Sequence, residues 1–413
     1  MSPQRRRWLL QMARLTGLGA AACSQASAAR AQVATSKTAL DETGKGTAGA
    51  RSEGPGTGDA IRRGRPIVFP RDHGAHPGVR TEWWYATGWL VPGTADVAAA
   101  PNDAGLLGFQ VTFFRSRTGL ASTLPGRFAP RQLLFAHAAI TDLPGRRHLH
   151  DQRLVRWSEQ PDAATGSASL DDGRVHIGDW SFRREGALPR SRWRARLPAR
   201  DFGIDLDLAT TQPPVLQGDA GFSRKGPQEQ QASHYYSLPQ LATTGRLTLP
   251  GQAGPGPALS GRGWMDHEWS DEILHPEAVG WDWIGMNLFD GSALTAFVLR
   301  RADGSALWAG GSFRAGSPGA VSLSFAADAL SWQPGRLWRS GTTGARYPVE
   351  WQLRTPVGPF GVRALADAQE LDSRGSTGAV YWEGLSELLD AGGRRVGLGY
   401  LEMTGYTAPL RMG

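Results

Sequence analysis

Gly263-Trp264-Met265-Asp266-His267-Glu268-Trp269-Ser270 puts two carboxylates, an imidazole and two indoles into eight residues. Taken as an extended segment, side-chain alternation places Trp264, Asp266 and Glu268 on one face and Met265, His267 and Trp269 on the other. Neither face is cleanly polar. A half-solvated strand should show one wet side and one dry side, so this pattern predicts a strand covered on both faces, as between two packed barrels. Carboxyls buried among indoles are pushed toward the neutral, proton-donating form, which makes Asp266 and Glu268 candidate acids. The same residues also fit a salt-bridged or capped turn in which Asp266 and His267 satisfy backbone groups.

Outward from this stretch, from Arg65 onward, the chain reads as short strands punctuated by Gly, Pro and Asp, with hardly a helical period. Phe202–Leu208, Val321–Phe325 and Val349–Leu353 each alternate apolar and polar residues. Asp290-Gly291 lies between two strand-like runs, a strong hairpin signal. The expectation is an all-β protein of two consecutive antiparallel barrels packed side by side, one over residues 65–250 and one over 251–413. The seam is placed in the linker-like Gly251-Gln252-Ala253-Gly254-Pro255-Gly256-Pro257.

An internal echo supports two halves. Glu82-Trp83-Trp84 precedes a strand ending in Phe114-Arg115, and Trp281-Asp282-Trp283 precedes one ending in Leu299-Arg300. The chain carries 16 tryptophans. Simple core alternation explains Trp180, Trp193, Trp332 and Trp351. It explains Trp83, Trp84, Trp264, Trp269, Trp281 and Trp283 less well, because these keep company with Glu82, Asp266, His267 and Asp282. Aromatic walls with sparse polar groups describe a cavity for an apolar ligand; they also describe the plugged core of a small barrel.

The N-terminus reads as an address. Arg5-Arg6-Arg7-Trp8-Leu9-Leu10 follows the twin-arginine pattern, a short apolar run follows, and small residues offer cleavage sites at Ala26-Ser27-Ala28 and Ala29-Arg30-Ala31. Residues 1–31 are therefore expected to be an export signal directing the protein to the periplasm or beyond, with 32–64 a disordered linker. Cys23, the single cysteine, excludes an internal disulfide. It follows Ala20-Ala21-Ala22, a poor lipoprotein box, so a lipid anchor there is the lesser alternative. Of the formal charge of +7, five positive charges fall within the first 31 residues, which hold no acid, leaving +2. No basic stripe argues for nucleic acid.

Several chemistries find no support. There is no Gly-x-Ser-x-Gly elbow and no phosphate loop in a βα context. Asp72, His73 and His76 have a metal-like spacing but lack a partner set, so neither a metal nor a cofactor is expected. His137 reads as a satisfied core histidine or, if it faces a lumen, as a residue that orients a ligand. His234-Tyr235-Tyr236-Ser237 either lines the cleft of the Asp266 stretch or forms an interface strand.

Together, Asp72-His73-Gly74-Ala75-His76-Pro77 with Arg80–Tyr85, Leu216–Asp219 with Ser223–Gly226, His234–Ser237, Gly263–Ser270, Gly280–Trp283 and Tyr381-Trp382-Glu383-Gly384 resemble the secreted lipocalin-like AttH/CrtC group, whose members are often labelled predicted secreted hydrolases. The resemblance covers about residues 65 to 410 and implies two lipocalin-like barrels. The group's characterised branch is similar to carotenoid 1,2-hydratases, which add water across an isoprenoid double bond without a cofactor. The group's Asp-His pair followed by a tryptophan matches Asp266, His267 and Trp269. Its downstream Tyr-x-Asp has only Trp281-Asp282 as a counterpart.

The resulting expectation is an aromatic cleft for a long apolar molecule, isoprenoid or lipid. Asp266 and His267 are the catalytic candidates; Glu82, Trp84, Tyr235, Tyr236, Trp264, Trp269, Trp281, Asp282 and Trp283 are the ligand-binding ones. Asp266 would protonate an alkene, indoles would stabilise the cation, and His267 would handle the attacking water. The alternative is a non-catalytic periplasmic carrier or an accessory to an ABC exporter. Ester or amide hydrolysis lacks a visible nucleophile.

Overall fold

The computed structural model describes residues 60–93, 100–118, 130–157, 159, 165–252, 254–272 and 274–410. The expected export signal, Cys23 and residues 32–59 of the expected linker lie outside them. Within the described chain, order begins earlier than position 65, because Ile61 packs against the first hydrophobic core.

The first sheet runs through β1 (Thr81–Pro92), β2 (Leu107–Arg117), β3 (Gln132–Asp142), β4 (Arg147–Trp157), β5 (Gly166–Ala168), β6 (Arg174–Ile177), β7 (Trp180–Glu185), β8 (Arg192–Pro198), β9 (Gly203–Ala209), β10 (Val215–Leu216), β11 (Phe222–Arg224), β12 (Ala232–Thr248) and β13 (Leu259–Ser270). Its order is β4-β3-β2-β1-β13-β12-β9-β8-β7-β6-β5, with β10 and β11 on β12. β5 and β6 return to β4, where Arg153 donates to the Ile177 carbonyl at 3.1 Å, so the sheet nearly closes into a barrel.

The second sheet contains β14 (Gly280–Leu288), β15 (Ala293–Arg300), β16 (Ala306–Arg314), β17 (Leu323–Phe325), β18 (Ser331–Pro334), β21 (Glu350–Thr355), β22 (Gly358–Ala364), β23 (Glu370–Ser373), β24 (Ala379–Leu389) and β25 (Arg395–Met403); β19 (Leu337–Arg339) and β20 (Arg346–Pro348) pair separately. Its edge strands β17 and β18 are joined by a single 3-10 turn at Ala327–Ala329, which brings the two edges round toward each other. The expected all-β fold of two lipocalin-like antiparallel barrels is what the chain adopts. β14 and β15 form the expected hairpin, with Gly291 at φ +86°, a left-handed conformation that glycine adopts without strain.

The boundary expected at residue 250 is corrected. β13 pairs with β1 on one side and β12 on the other, so the stretch that opened the sequence reading lies in the middle of the first barrel. The Gly- and Pro-rich run after Pro250 is a hairpin loop between β12 and β13. The chain leaves the first sheet after Ser270 and enters the second at Gly280. Turn chemistry and linker chemistry use the same residues, which is why the composition pointed to the wrong place.

Three hydrophobic cores follow from the pleat. Trp84, Phe113, Ala136, Tyr236, Met265 and Trp269 fill the first barrel, and Ile284, Met286, Trp382, Leu401 and Met403 belong to the core of the second. The alternate residues of these strands, Tyr85, Trp264, Trp283, Phe297, Leu385 and Tyr400, pack between the barrels. The barrels approach closely at Gly108, where a Cβ would come within 2.6 Å of the Tyr400 hydroxyl. Gln240 and Asn287 tie the two sheets: Gln240 Nε2 donates to the Leu288 and Ser292 carbonyls at 2.9 and 2.7 Å, and Asn287 Nδ2 donates to the Gly263 carbonyl at 3.0 Å.

Candidate functional site

Between the barrels lies a cavity of about 780 Å³. The first barrel contributes Trp83 and Tyr85 from β1, Phe114 from β2, Phe135 from β3, and Asp266 and Glu268 from β13; the second contributes Trp281, Trp283, Phe297, Tyr381, Glu383 and Glu402. Each residue is an outward-facing member of a strand whose inward-facing members fill a barrel. That double burial is what the mixed pattern at Trp264–Trp269 predicted, and all six residues are buried.

Asp266 is held by three donors. Trp264 Nε1 and Ser237 Oγ donate to Oδ1 at 2.7 and 2.5 Å, and the Tyr235 hydroxyl donates to Oδ2 at 2.6 Å. Trp283 Nε1 in turn donates to the Tyr235 oxygen at 3.2 Å. Burial pushes the Asp266 carboxyl up to about 7, against the opposing pull of these hydrogen bonds. Oδ2, with a single partner, is the oxygen with room for a proton. Tyr235 can turn its hydroxyl from donor to acceptor when that proton arrives, whereas an indole N–H cannot. The group is therefore placed to be a neutral acid at one pH and a carboxylate at a slightly higher one.

On the far side of β13 the chemistry is different. His267 Nε2 lies 3.0 Å from Glu82 Oε1 and its Nδ1 3.2 Å from the Tyr236 hydroxyl. His76 Nδ1 is 2.7 Å from the same Glu82 oxygen, and Arg115 Nε donates to Glu82 Oε2 at 2.8 Å. His76 stacks on Trp269 at 3.8 Å and Trp84 on His267 at 4.8 Å. Burial alone would raise the Glu82 carboxyl, but His76, Arg115 and His267 outweigh it and hold it well below the usual carboxylate range. Burial lowers the His267 imidazole, partly offset by Glu82. Ligand atoms of His76, Glu82 and His267 lie within 4.8 Å of one another. To ligate a metal these groups would have to give up their mutual hydrogen bonds beside a guanidinium, which favours a closed structural network.

The family model described as AttH-like matches residues 60–406. The chain belongs to the AttH-like family. It is similar to the crystal structure of an AttH protein from Nitrosomonas europaea, with 41% identity, coverage of 84% of this chain and 99% of that one, and a TM-score of 0.73. It is also similar to kievitone hydratase from Nectria haematococca, with 18% identity, coverage of 84% and 96%, and a TM-score of 0.58; that likeness shows a shared fold. No curated protein matches the chain in sequence.

In this AttH-like chain the residues expected in one cleft fall into separate places. Asp266, Trp281 and Trp283 line the cavity, and Trp264 and Tyr235 hold Asp266 from behind. Glu82, Trp84, Tyr236, His267 and Trp269 belong to the interior of the first barrel. Asp282 is buried away from the cavity, 2.6 Å from Arg300 and accepting from the Tyr406 hydroxyl at 3.1 Å. The pairing of Asp266 with His267 on one substrate is corrected: neighbours on a strand point to opposite faces, and the same alternation separates Tyr235 from Tyr236 and Trp281 from Asp282.

Sequence reasoning missed Lys225, Glu383 and Glu402 as site residues. Lys225 Nζ lies 2.8 Å from Glu268, which also accepts from the Ser233 hydroxyl. Glu383 and Glu402 are directly opposed on β24 and β25. Lys225 and Glu383 stood inside the recognised motifs, but Glu402 in Leu401-Glu402-Met403 looks like an ordinary solvated position. Only the second barrel's outer face being covered makes it a cavity residue.

Proposed function

We propose that this protein binds a long apolar molecule in the inter-barrel cavity and that Asp266 acts on it as a general acid, in a cofactor-free hydration of an electron-rich double bond. The observation that carries this reading is Asp266 itself: a buried carboxyl on the wall of an aromatic cavity, brought by burial to about 7 and backed by a tyrosine able to exchange donor and acceptor roles. The hydratase named among similar folds agrees with that class of reaction. In the proposed step the Asp266 Oδ2–H bond breaks and its proton joins the less substituted alkene carbon. The cation left on the neighbouring carbon faces Trp83, Trp281 and Trp283, whose π faces stabilise it by about 1–2 kcal/mol per well-placed ring. Water then adds to the cation and gives up a proton, restoring the acid on Asp266.

Export belongs to the same proposal. It rests on the twin-arginine pattern of Arg5-Arg6-Arg7-Trp8-Leu9-Leu10, which would direct the protein to the periplasm or beyond. A second reading, a carrier serving an ABC exporter without chemistry, is favoured by the three donors on Asp266, since an anchoring carboxylate needs the same partners.

One experiment separates the two. Protein recovered from its native compartment is extracted and its bound lipid identified by mass spectrometry, then the lipid is incubated with wild type and Asp266→Asn. A product one water heavier with wild type and none with the variant, at unchanged lipid affinity, supports the acid. Lipid returned unaltered by both supports the carrier.

A further inference from the structure

The two barrels present the same register to the cavity. In the first, Trp83 on β1 faces Phe114 on one side and Glu268 on the other, and Glu268 faces Tyr235 on β12. In the second, Trp283 on β14 faces Phe297 and Glu402, and Glu402 faces Glu383 on β24. Glu402 is thus the counterpart of Glu268, and Glu383 stands where the first barrel has Tyr235. The two corners differ in one respect. Glu268 has a cation, the Lys225 ammonium, which also sits 4.1 Å from the Phe297 ring centre and 4.7 Å from that of Tyr235.

The second corner has two carboxyls and no cation among the described residues. Trp281 Nε1 donates to Glu402 Oε1 at 3.0 Å, while Glu383 Oε2, only 3% exposed as a residue, has no hydrogen-bond partner. Two opposed carboxyls, Glu383 buried and Glu402 half-buried, resist ionising together without a counter-charge. Burial, reinforced by the charge of Glu402, holds Glu383 well above the usual carboxylate range, and burial with neighbouring negative charge pushes Glu402 up to about 8.

We propose that the Glu383–Glu402 pair is a recognition site for an organic ammonium group, so that the cavity takes an amphiphile with a positively charged head and an apolar body. The ammonium would occupy, in the second barrel, the role that Lys225 fills in the first, with carboxylates beside it and the rings of Trp281, Trp283 and Tyr381 as walls. This inference rests on the cavity being the ligand site, and names the ligand class for it. Binding a cation favours the ionised carboxyls, so it expels protons that the pair otherwise keeps. Affinity therefore rises with pH over the range in which the pair gives up its protons, both carboxyls being held above the usual carboxylate range. The other titratable groups on the cavity side are Asp266 and Glu268 on β13 with Lys225 beside them, Tyr85 on β1, and Tyr381 and Tyr400 on the pair's own strands; Asp282, on the opposite face of β14, acts on Glu402 only through its charge.

The test uses dodecyltrimethylammonium and 1-dodecanol as probes, below micellar concentrations, with tryptophan fluorescence and calorimetry on the full protein. The ammonium should bind roughly tenfold or more tighter than the alcohol, with proton release visible in buffers of different ionisation enthalpy. Glu383→Gln/Glu402→Gln should erase the pH dependence and bring the affinity for the ammonium down to that for dodecanol. Should that double variant fold poorly, Glu383→Gln alone is informative: with one carboxyl of the pair gone, the preference for the ammonium should fall and fewer protons should be released on binding. Equal affinity for both probes, or a preference that survives the substitutions, overturns the proposal and leaves the cavity reading standing. Failure of both probes to bind overturns the two together.

Discussion

At Asp266 burial and hydrogen bonding pull in opposite directions, and burial wins. The carboxyl keeps its proton up to about 7 in the folded chain, whereas in the unfolded chain it ionises near its ordinary 3.8. Between those values the folded state binds more protons, so this group's contribution to stability falls as pH rises. Asp266→Asn should remove that slope. In urea unfolding, wild type should lose stability relative to the variant from pH 4 to 7, by about 4 kcal/mol at most. A constant difference across that range would mean that Asp266 is not held neutral by its site. Glu82 works the other way: depressed by His76, Arg115 and His267, it contributes stability that is lost as pH falls through the ordinary carboxylate range, alike in both proteins. Arg115 is fully buried beside it, its guanidinium 2.8 Å from the carboxylate. Arg115→Met should cost roughly 3–5 kcal/mol because it strands a buried charge, and Glu82→Gln/Arg115→Met should recover part of that loss.

For the strand β13, alternation divides stability from binding. Met265, His267 and Trp269 face the first barrel's core, and Trp264, Asp266 and Glu268 face the cavity side. His267→Ala breaks the contacts to Glu82 and Tyr236 inside a closed network, and should lower the unfolding free energy by about 2–4 kcal/mol with ligand affinity little changed. Trp283→Phe, on the facing wall, should do the reverse: it removes the indole N–H to Tyr235 and reshapes the cavity, weakening ligand binding several-fold with a smaller stability loss. Binding isotherms and urea curves on the two variants check the division. If His267→Ala abolished binding while stability held, the assignment of faces would be wrong.

For the whole molecule, the barrels share a core as well as a cavity, since Trp264, Trp283, Phe297 and Tyr400 pack between them. A chain ending at residue 250 lacks β13, the strand between β1 and β12, and should not form the first sheet. A chain ending at residue 272 keeps that sheet complete but exposes its cavity face. It should show β-type circular dichroism, bind the dye ANS strongly and associate, because a contiguous apolar face of this kind is not tolerated in water. The full chain should unfold in one transition; two well-separated ones would show that the inter-barrel core contributes little.

Much of this was legible in the residues. The alternating runs, the Asp290-Gly291 turn and the lack of helical period determine an all-β chain, and the mixed faces of Trp264–Trp269 determine a strand with no wet side. The echo of Glu82 with Arg115 and Asp282 with Arg300 became two buried ion pairs, at 2.8 and 2.6 Å, one in each half. These are local facts, set by side-chain period and by the intolerance of buried charge for solitude. What local sequence cannot express is which covered face meets which neighbour. Which compartment each face of β13 serves, and that Glu402 of an ordinary-looking strand stands with Glu383 in a cavity, were decided by the packing of one barrel's outer face on the other, because strand pairing such as Thr81 with Ser270 and contact between the sheets join residues far apart in the chain.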